Sequence, residues 1–299
     1  MAFSRMQNML LGIAVGDAFG AGYEFRYPKK ADYEKRFEWK YLKHPKPESK
    51  HSPGMYTDDT QMSISIAECM LEEKSLSKEA LLKHFRESYA RDPVDGYGRR
   101  TLELLLNNAA EFVPSERNSA AMRSVPLGAI VDLNELVNAA YANAQATHNS
   151  LRSASSSLAV ALMSRQAFAR ARMPFCQYAL PFLQQYDADL CKYLKEVNRS
   201  KAPLDGKSGV PTDATETLGA VLYLLNNFPH PEDLLKNAIV LGGDTDSVAS
   251  MALGIRMINH DIMELRPFLY ERLTNHKYGR DYLLKLGRRL EKKFTNPTL

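Results

Sequence analysis

Apolar residues along this chain recur at intervals of three and four, and almost nowhere at intervals of two. Met6, Met9, Leu10, Ile13 and Asp17 share one helical face near the start. The same period predicts helices over 62–71, 79–90, 101–112, 133–145, 154–172, 175–195, 216–227, 232–241, 248–258, 262–274 and 280–293. Alternating β-branched stretches are nearly absent, and no repeat of fixed length appears. A chain patterned this way builds a core in one manner, helix against helix, so the expected class is all-α. A hydrophobic fraction of 44% supplies that core, and 25% charged residues suit a soluble surface.

Two stretches lose the period. Residues 27–56 carry Pro28, Pro45, Pro47 and Pro53 with seven lysines. So long an irregular segment in a compact domain predicts a lid or an insert. Residues 199–215 contain Pro203, Gly206, Gly209 and Pro211. Helical patterning continues on both sides of each, so a single domain over 1–299 is expected, with the insert at 27–56.

Charge and cysteine content exclude more than they assign. The 39 basic and 35 acidic residues leave a net charge of +4, and no basic patch is interleaved with aromatics. A nucleic-acid partner is therefore not expected. Cys69, Cys176 and Cys191 are far apart and form no CxxC pair, which excludes a disulfide framework or a zinc site and fits the reducing cytoplasm. The apolar run 9–15 after Arg5 is interrupted by Asp17, unlike a secretory leader. No apolar run is long enough to span a bilayer, so no membrane association is expected.

The chemistry concentrates in two acidic clusters, each directly before an apolar helix. The first is TDDT, holding Thr57, Asp58 and Asp59; the second is GGDTDS, holding Asp244, Asp246 and Ser247. Residue types alone leave two readings open. Asp, Ser and Thr cap helices by accepting bonds from first-turn amides. Carboxylate and hydroxyl oxygens without imidazole or thiolate are also hard ligands, suited to Mg²⁺, Mn²⁺ or Ca²⁺. Two carboxylates and two hydroxyls at each helix start exceed what capping needs, and two facing clusters can hold a pair of cations.

A third element adds to these. Asp17 lies on the otherwise apolar face of the first helix, where Gly12, Gly16 and Gly20 form a ridge at spacing four. Each interior glycine costs about 1 kcal/mol against alanine, so the ridge implies a backbone packed closely against it. A buried carboxylate must be paired or hydrogen-bonded. Asp17 is then either bonded to a neighbouring backbone or part of the site.

Taken in order, GIAVGDAFG at 12–20, TDDT at 57–60, NSAAMR at 118–123 with PLG at 126–128, THN at 147–149, the stretch 208–218 and GGDTDS at 242–247 resemble the ADP-ribosylglycohydrolase family over roughly 5–260. The resemblance implies a single compact orthogonal multi-helix bundle of that type. It implies two divalent cations, Mg²⁺ or Mn²⁺, held by Thr57, Asp58, Asp59, Asp244, Asp246 and Ser247. Glu24 matches an acidic residue on a mobile lid, and Glu24 and Asp59 are the implied proton-transfer groups. Asn118, Ser119, His148 and Asp17 are the implied substrate contacts. The lone histidines His84, His230, His260 and His276 are read as ordinary core or surface residues.

One departure bears on the ligand. Relatives carry a glycine-rich run where this chain has VPSER at 113–117, so diphosphate contacts are expected from Ser115, Arg117, Asn118 or Ser119. The implied reaction is hydrolysis of the bond between ADP-ribose and its acceptor, in an ADP-ribosylated protein or a free ADP-ribose derivative, by a monomer. Arginine is the first acceptor expected, with a serine hydroxyl or O-acetyl-ADP-ribose second. The competing class is a binding, structural or toxin-neutralising protein on the same scaffold. Six intact ligand positions favour catalysis.

Overall fold

The computed structural model describes residues 3–107, 114–200 and 209–295, and within them the chain is all helix and loop, with no strand. In chain order the helices are α1 (Arg5–Gly20), α2 (Lys30–Lys35), α3 (Asp58–Glu72), α4 (Lys78–Arg91), α5 (Arg99–Leu106), α6 (Ser119–Met122), α7 (Leu133–Gln145) and α8 (Leu151–Ala169). There follow α9 (Phe175–Tyr178), α10 (Leu180–Leu183), α11 (Ala188–Ser200), α12 (Ala214–Asn227), α13 (Pro231–Leu241), α14 (Thr245–Met257), α15 (Pro267–Glu271) and α16 (Arg280–Thr295). One continuous apolar core runs through most of them.

Helix α1 is the spine. Ser4 and Gln7 start it with a reciprocal capping box. The period predicts one apolar stripe, yet every residue from Met6 to Gly20 is buried. The other faces are covered because α14, α16 and α3 pack around it. The glycine ridge decides its tightest neighbour. A Cβ on Gly16 would collide with Ala249 O, and one on Gly12 would fall 2.7 Å from Met257 Cγ. The backbones of α1 and α14 therefore meet directly, and Gly20 abuts the backbone of Thr245 and Asp246.

Two expected helices need correction. The helix expected over 175–195 is broken into α9, α10 and α11, and Pro181, which has no N–H and clashes with the preceding turn, separates the first two. Asp187 then accepts from Leu190 N at 2.9 Å at the start of α11. The helix expected over 262–274 divides for the same reason into a 3₁₀ turn, Ile262–Glu264, and α15, which opens on Pro267. The far end of the expected helix 101–112 and residues 201–208 of the second loop lie outside the described residues.

Segment 27–56, expected as a lid or an insert, is not irregular throughout. It contains α2 and buries Tyr33 and Tyr41. The Phe19 ring lies 5.7 Å from Trp39 and 5.8 Å from Tyr41, and the Arg266 guanidinium sits 4.5 Å above Trp39. Tyr41 donates to Leu269 O at 2.7 Å. Seven lysines conceal this in the sequence, since they face solvent while the aromatics between them anchor the segment.

Candidate active site

The first acidic cluster forms the opening turn of α3, and its own residues do not cap it. Thr57 occupies the cap position without a side-chain cap bond. Asp17 does that work from α1. Its Oδ1 accepts from Thr57 Oγ1 at 2.8 Å, its Oδ2 from Thr60 Oγ1 at 2.6 Å, and the backbone N–H groups of Thr57 and Thr60 donate to it at 3.0 Å. Burial raises the Asp17 carboxyl to about 6, against the pull of these four donors. Asp58 and Asp59 are thus released from helix capping.

The second cluster is held by backbone geometry. Gly242 and Gly243 take φ of +71° and +77°, a region side chains resist. A Cβ on Gly243 would collide with Val210 O. Val210 N donates to Gly242 O at 3.0 Å and Asp244 N to Val210 O at 2.8 Å, which aims the chain into α14. Asp244 makes no side-chain cap bond either. Asn118 Nδ2 donates to Asp244 Oδ2 at 2.6 Å and to Thr217 Oγ1 at 3.1 Å. Ser247 N donates to Asp246 Oδ1 at 3.0 Å.

Both turns open on one cavity of about 600 Å³. Asp58, Asp59, Asp244, Asp246 and Glu24 line it with Asn118, Ser119, Ser247 and His148. Carboxylate oxygens of Glu24, Asp244 and Asp246 all lie within 4.8 Å of one another. Burial first, and neighbouring carboxylates second, push Asp58, Asp59 and Asp246 well above the usual carboxylate range. Asp244 rises to about 6, mainly through burial, with Asn118 opposing it. Asp59 Oδ1 is buried with no hydrogen-bond partner. An orphaned carboxylate oxygen among crowded carboxylates is a site short of positive charge.

Glu24 is treated differently. His44, on segment 27–56, accepts at Nδ1 from Lys46 N at 3.0 Å, so its proton sits on Nε2 and is donated to Glu24 Oε2 at 2.5 Å. Lys46 Nζ lies 3.7 Å from Glu24 Oε1. Burial raises this carboxyl, but the His44 bond and the Lys46 charge outweigh it and hold Glu24 below the ordinary range.

Asp17 needs correction as a substrate contact. It is 0% exposed, its oxygens are engaged by α3, and it does not line the cavity. Its place is behind the first cluster. Thr57 is also buried beneath the surface, with Asp58 and Asp59 in front. Of the segment expected to meet phosphates, Ser115, Arg117, Asn118 and Ser119 line the cavity, while Val113 lies outside the described residues.

Sequence reasoning missed the wall at 96–101 and the His44 contact. Gly96, with φ of +112°, passes so close to Asp58 Oδ1 that a Cβ would overlap it. Tyr97 donates to Gln61 Oε1 at 2.7 Å, and Arg99 and Arg100 extend the wall beside Arg117 and Lys46. The GYGRR run was the available signal: two glycines framing an aromatic, then two cations.

Residues 1–298 match a family model described as ADP-ribosylglycohydrolase. The chain is 25% identical to ADP-ribosylhydrolase ARH3 of Xenopus tropicalis, over 86% of this chain and 87% of that protein. It is likewise 25% identical to ADP-ribosyl-[dinitrogen reductase] glycohydrolase of Rhodospirillum rubrum, over 83% of each. A solved structure, an ADP-ribosylglycohydrolase-related protein complex, superposes with a TM-score of 0.75 at 24% identity, covering 97% of both chains, and shares the fold.

Proposed function

The chain belongs to the ADP-ribosylglycohydrolase family, and from that premise we propose that it hydrolyses the bond joining ADP-ribose to a protein side chain in a reaction that needs two divalent cations. The observation that carries the cation requirement is Asp59 Oδ1, buried without a partner among carboxylates that no described lysine or arginine pairs with except at Glu24. The donor set is all oxygen, which suits Mg²⁺ or Mn²⁺. Thr57, Asp58 and Asp59 would hold them from one side, and Asp244, Asp246 and Ser247 from the other. Thr57 gives its hydroxyl proton to Asp17, which leaves its oxygen lone pairs for a cation. When bound, such ions supply Lewis acidity and offset the carboxylate charge.

The chain's own groups supply the rest. Ser115, Arg117 and Ser119 offer donors and positive charge to the diphosphate. Asn118 holds Asp244 in place. Glycosidic cleavage passes through an oxocarbenium-like state, which the acidic floor stabilises. Glu24, kept ionised by His44 and Lys46, is suited to take the proton of the attacking water, with Asp59 as the second proton-transfer group. Segment 27–56, which carries His44 and Lys46, acts as the lid over this edge. The acceptor we favour is arginine, then serine.

The test is release of free ADP-ribose from an arginine-modified and a serine-modified peptide, each with and without EDTA. Release is expected from the arginine peptide first, and EDTA should abolish it. No release from either peptide with Mg²⁺ or Mn²⁺ present would sink the reading, and release indifferent to EDTA would remove the cations from it.

A further inference from the structure

Behind the cavity wall lies a fully buried arginine, Arg123, that no carboxylate pairs with among the described residues. Its Nε donates to Asn143 Oδ1 at 2.5 Å, and its Nη2 to Asn143 O at 2.8 Å and Thr147 Oγ1 at 2.7 Å. Nη1 reaches Met62 Sδ at 3.2 Å, and the guanidinium lies 4.4 Å from the centre of the Phe85 ring. Asn143 is itself fixed, since its Nδ2 donates to Ala120 O and faces Ser124 Oγ and Ser157 Oγ at 3.0 and 3.1 Å.

The direction of these bonds has a consequence at the cavity. A guanidinium only donates. Thr147 Oγ1 therefore accepts from Arg123, and among the described residues the acceptor within reach of its own proton is His148 Nδ1, 2.8 Å away. With Nδ1 accepting from Thr147, the ring proton resides on Nε2. The backbone also holds the ring's frame: His148 N donates to Ala144 O at 2.8 Å and Ser115 N to His148 O at 3.0 Å. His148 lines the cavity beside Ser115 and Arg117.

We propose that Arg123 and Thr147 are positioning residues that lock His148 in the Nε2–H tautomer, so that it presents a neutral donor to a diphosphate oxygen of the bound nucleotide. The contact to the nucleotide rests on the function proposed above; the tautomer does not. Burial, then Arg123 and Arg117, lower the His148 pKa to about 3, in keeping with an imidazole that stays neutral while it donates. Thr147 is the residue that converts a fixed charge in the core into an oriented proton at the surface.

The experiment compares wild type with Thr147→Val and Thr147→Ser, which keep the volume or the hydroxyl respectively and leave Arg123 in place. Nitrogen-15 histidine spectra of the wild type should show His148 neutral with its proton on Nε2 from pH 5.5 to 8. Thr147→Val should give a tautomer mixture and weaken ADP-ribose and ADP alike by about tenfold, the worth of one hydrogen bond to a charged group. Thr147→Ser should restore both. A wild-type ring protonated on both nitrogens or on Nδ1 alone overturns the proposal. So does an unchanged His148 pattern in Thr147→Val, or a loss of affinity that Thr147→Ser fails to repair. If the wild type does not bind ADP-ribose, the glycohydrolase reading fails instead, and the tautomer pattern still decides this one.

Discussion

The two acidic helix starts perform the same task by different means. At α3, a side chain from another helix takes over the capping: Asp17 engages Thr57 and Thr60, and Asp58 and Asp59 are free to face the cavity. At α14, the backbone does it: two glycines with positive φ and the pairing to Val210 set Asp244 and Asp246 in place. The first arrangement depends on one buried charge with four donors. The second depends on two residues lacking side chains. A helix start normally spends its acidic residues on its own amides; here that is limited to one bond, from Ser247 N to Asp246 Oδ1.

The comparison breaks most visibly at Asp17. Asp17→Ala should cost about 4 kcal/mol, because buried N–H and O–H donors at the start of α3 lose their acceptor at about 1–3 kcal/mol each. A urea unfolding curve measures it; a cost under 1 kcal/mol would mean α3 caps itself. Gly243→Ala should cost about 3 kcal/mol, from a strained φ and a collision with Val210 O. If the same unfolding curve shows less loss than a surface Gly→Ala change, the backbone device is not what holds α14. Asp58→Asn and Asp246→Asn sharpen the comparison from the other side. Both should fold without cations, and both should lower turnover at least about a hundredfold, or about 2.7 kcal/mol. Near-normal turnover in either, at limiting Mn²⁺, removes that half from the site.

A smaller effect is expected with pH, and its sign is informative. Asp17 and Asp244 are raised to about 6 from an ordinary value near 3.8. The folded chain therefore binds more protons in between, and the stability these groups contribute is lost as pH rises through 6. His148, lowered to about 3, and His51, lowered by burial, act oppositely, against five raised carboxylates. In EDTA the protein should melt a few degrees higher at pH 5.5 than at 7.5, and Mg²⁺ or Mn²⁺ should close that gap by binding the deprotonated groups. A midpoint that climbs with pH in EDTA would show that protein cations already neutralise the cavity.

What was legible in the sequence was local in spacing. The 3.6 period marks the helices, the glycine ridge predicts the close partner of α1, and the acidic runs mark the two turns that line the cavity. What was hidden depends on distant parts of the chain. Asp17 reads as a site residue until Thr57 and Thr60 are seen to use up both its oxygens. His44 reads as one more polar residue in a lysine-rich stretch until the fold brings it to Glu24. Arg123 sits in a recognisable motif, but its proton donations to Asn143 and Thr147 exist only once α7 packs behind the cavity. Pro181 and Pro267 were readable, and the periodic pattern around them outweighed the signal.

The meeting of α1 with α14 joins segments far apart in the sequence, Gly16 against Ala249. Contacts of such long sequence separation carry the closure entropy of the whole chain between them. The cavity therefore cannot exist on a partly synthesised chain, and its crowded carboxylates stay apart and hydrated until the rest of the core is in place. The cations proposed above would accordingly meet a finished site and not an unfolded chain. A refolding experiment with Mn²⁺ in excess should accordingly show unchanged folding rates and slower unfolding.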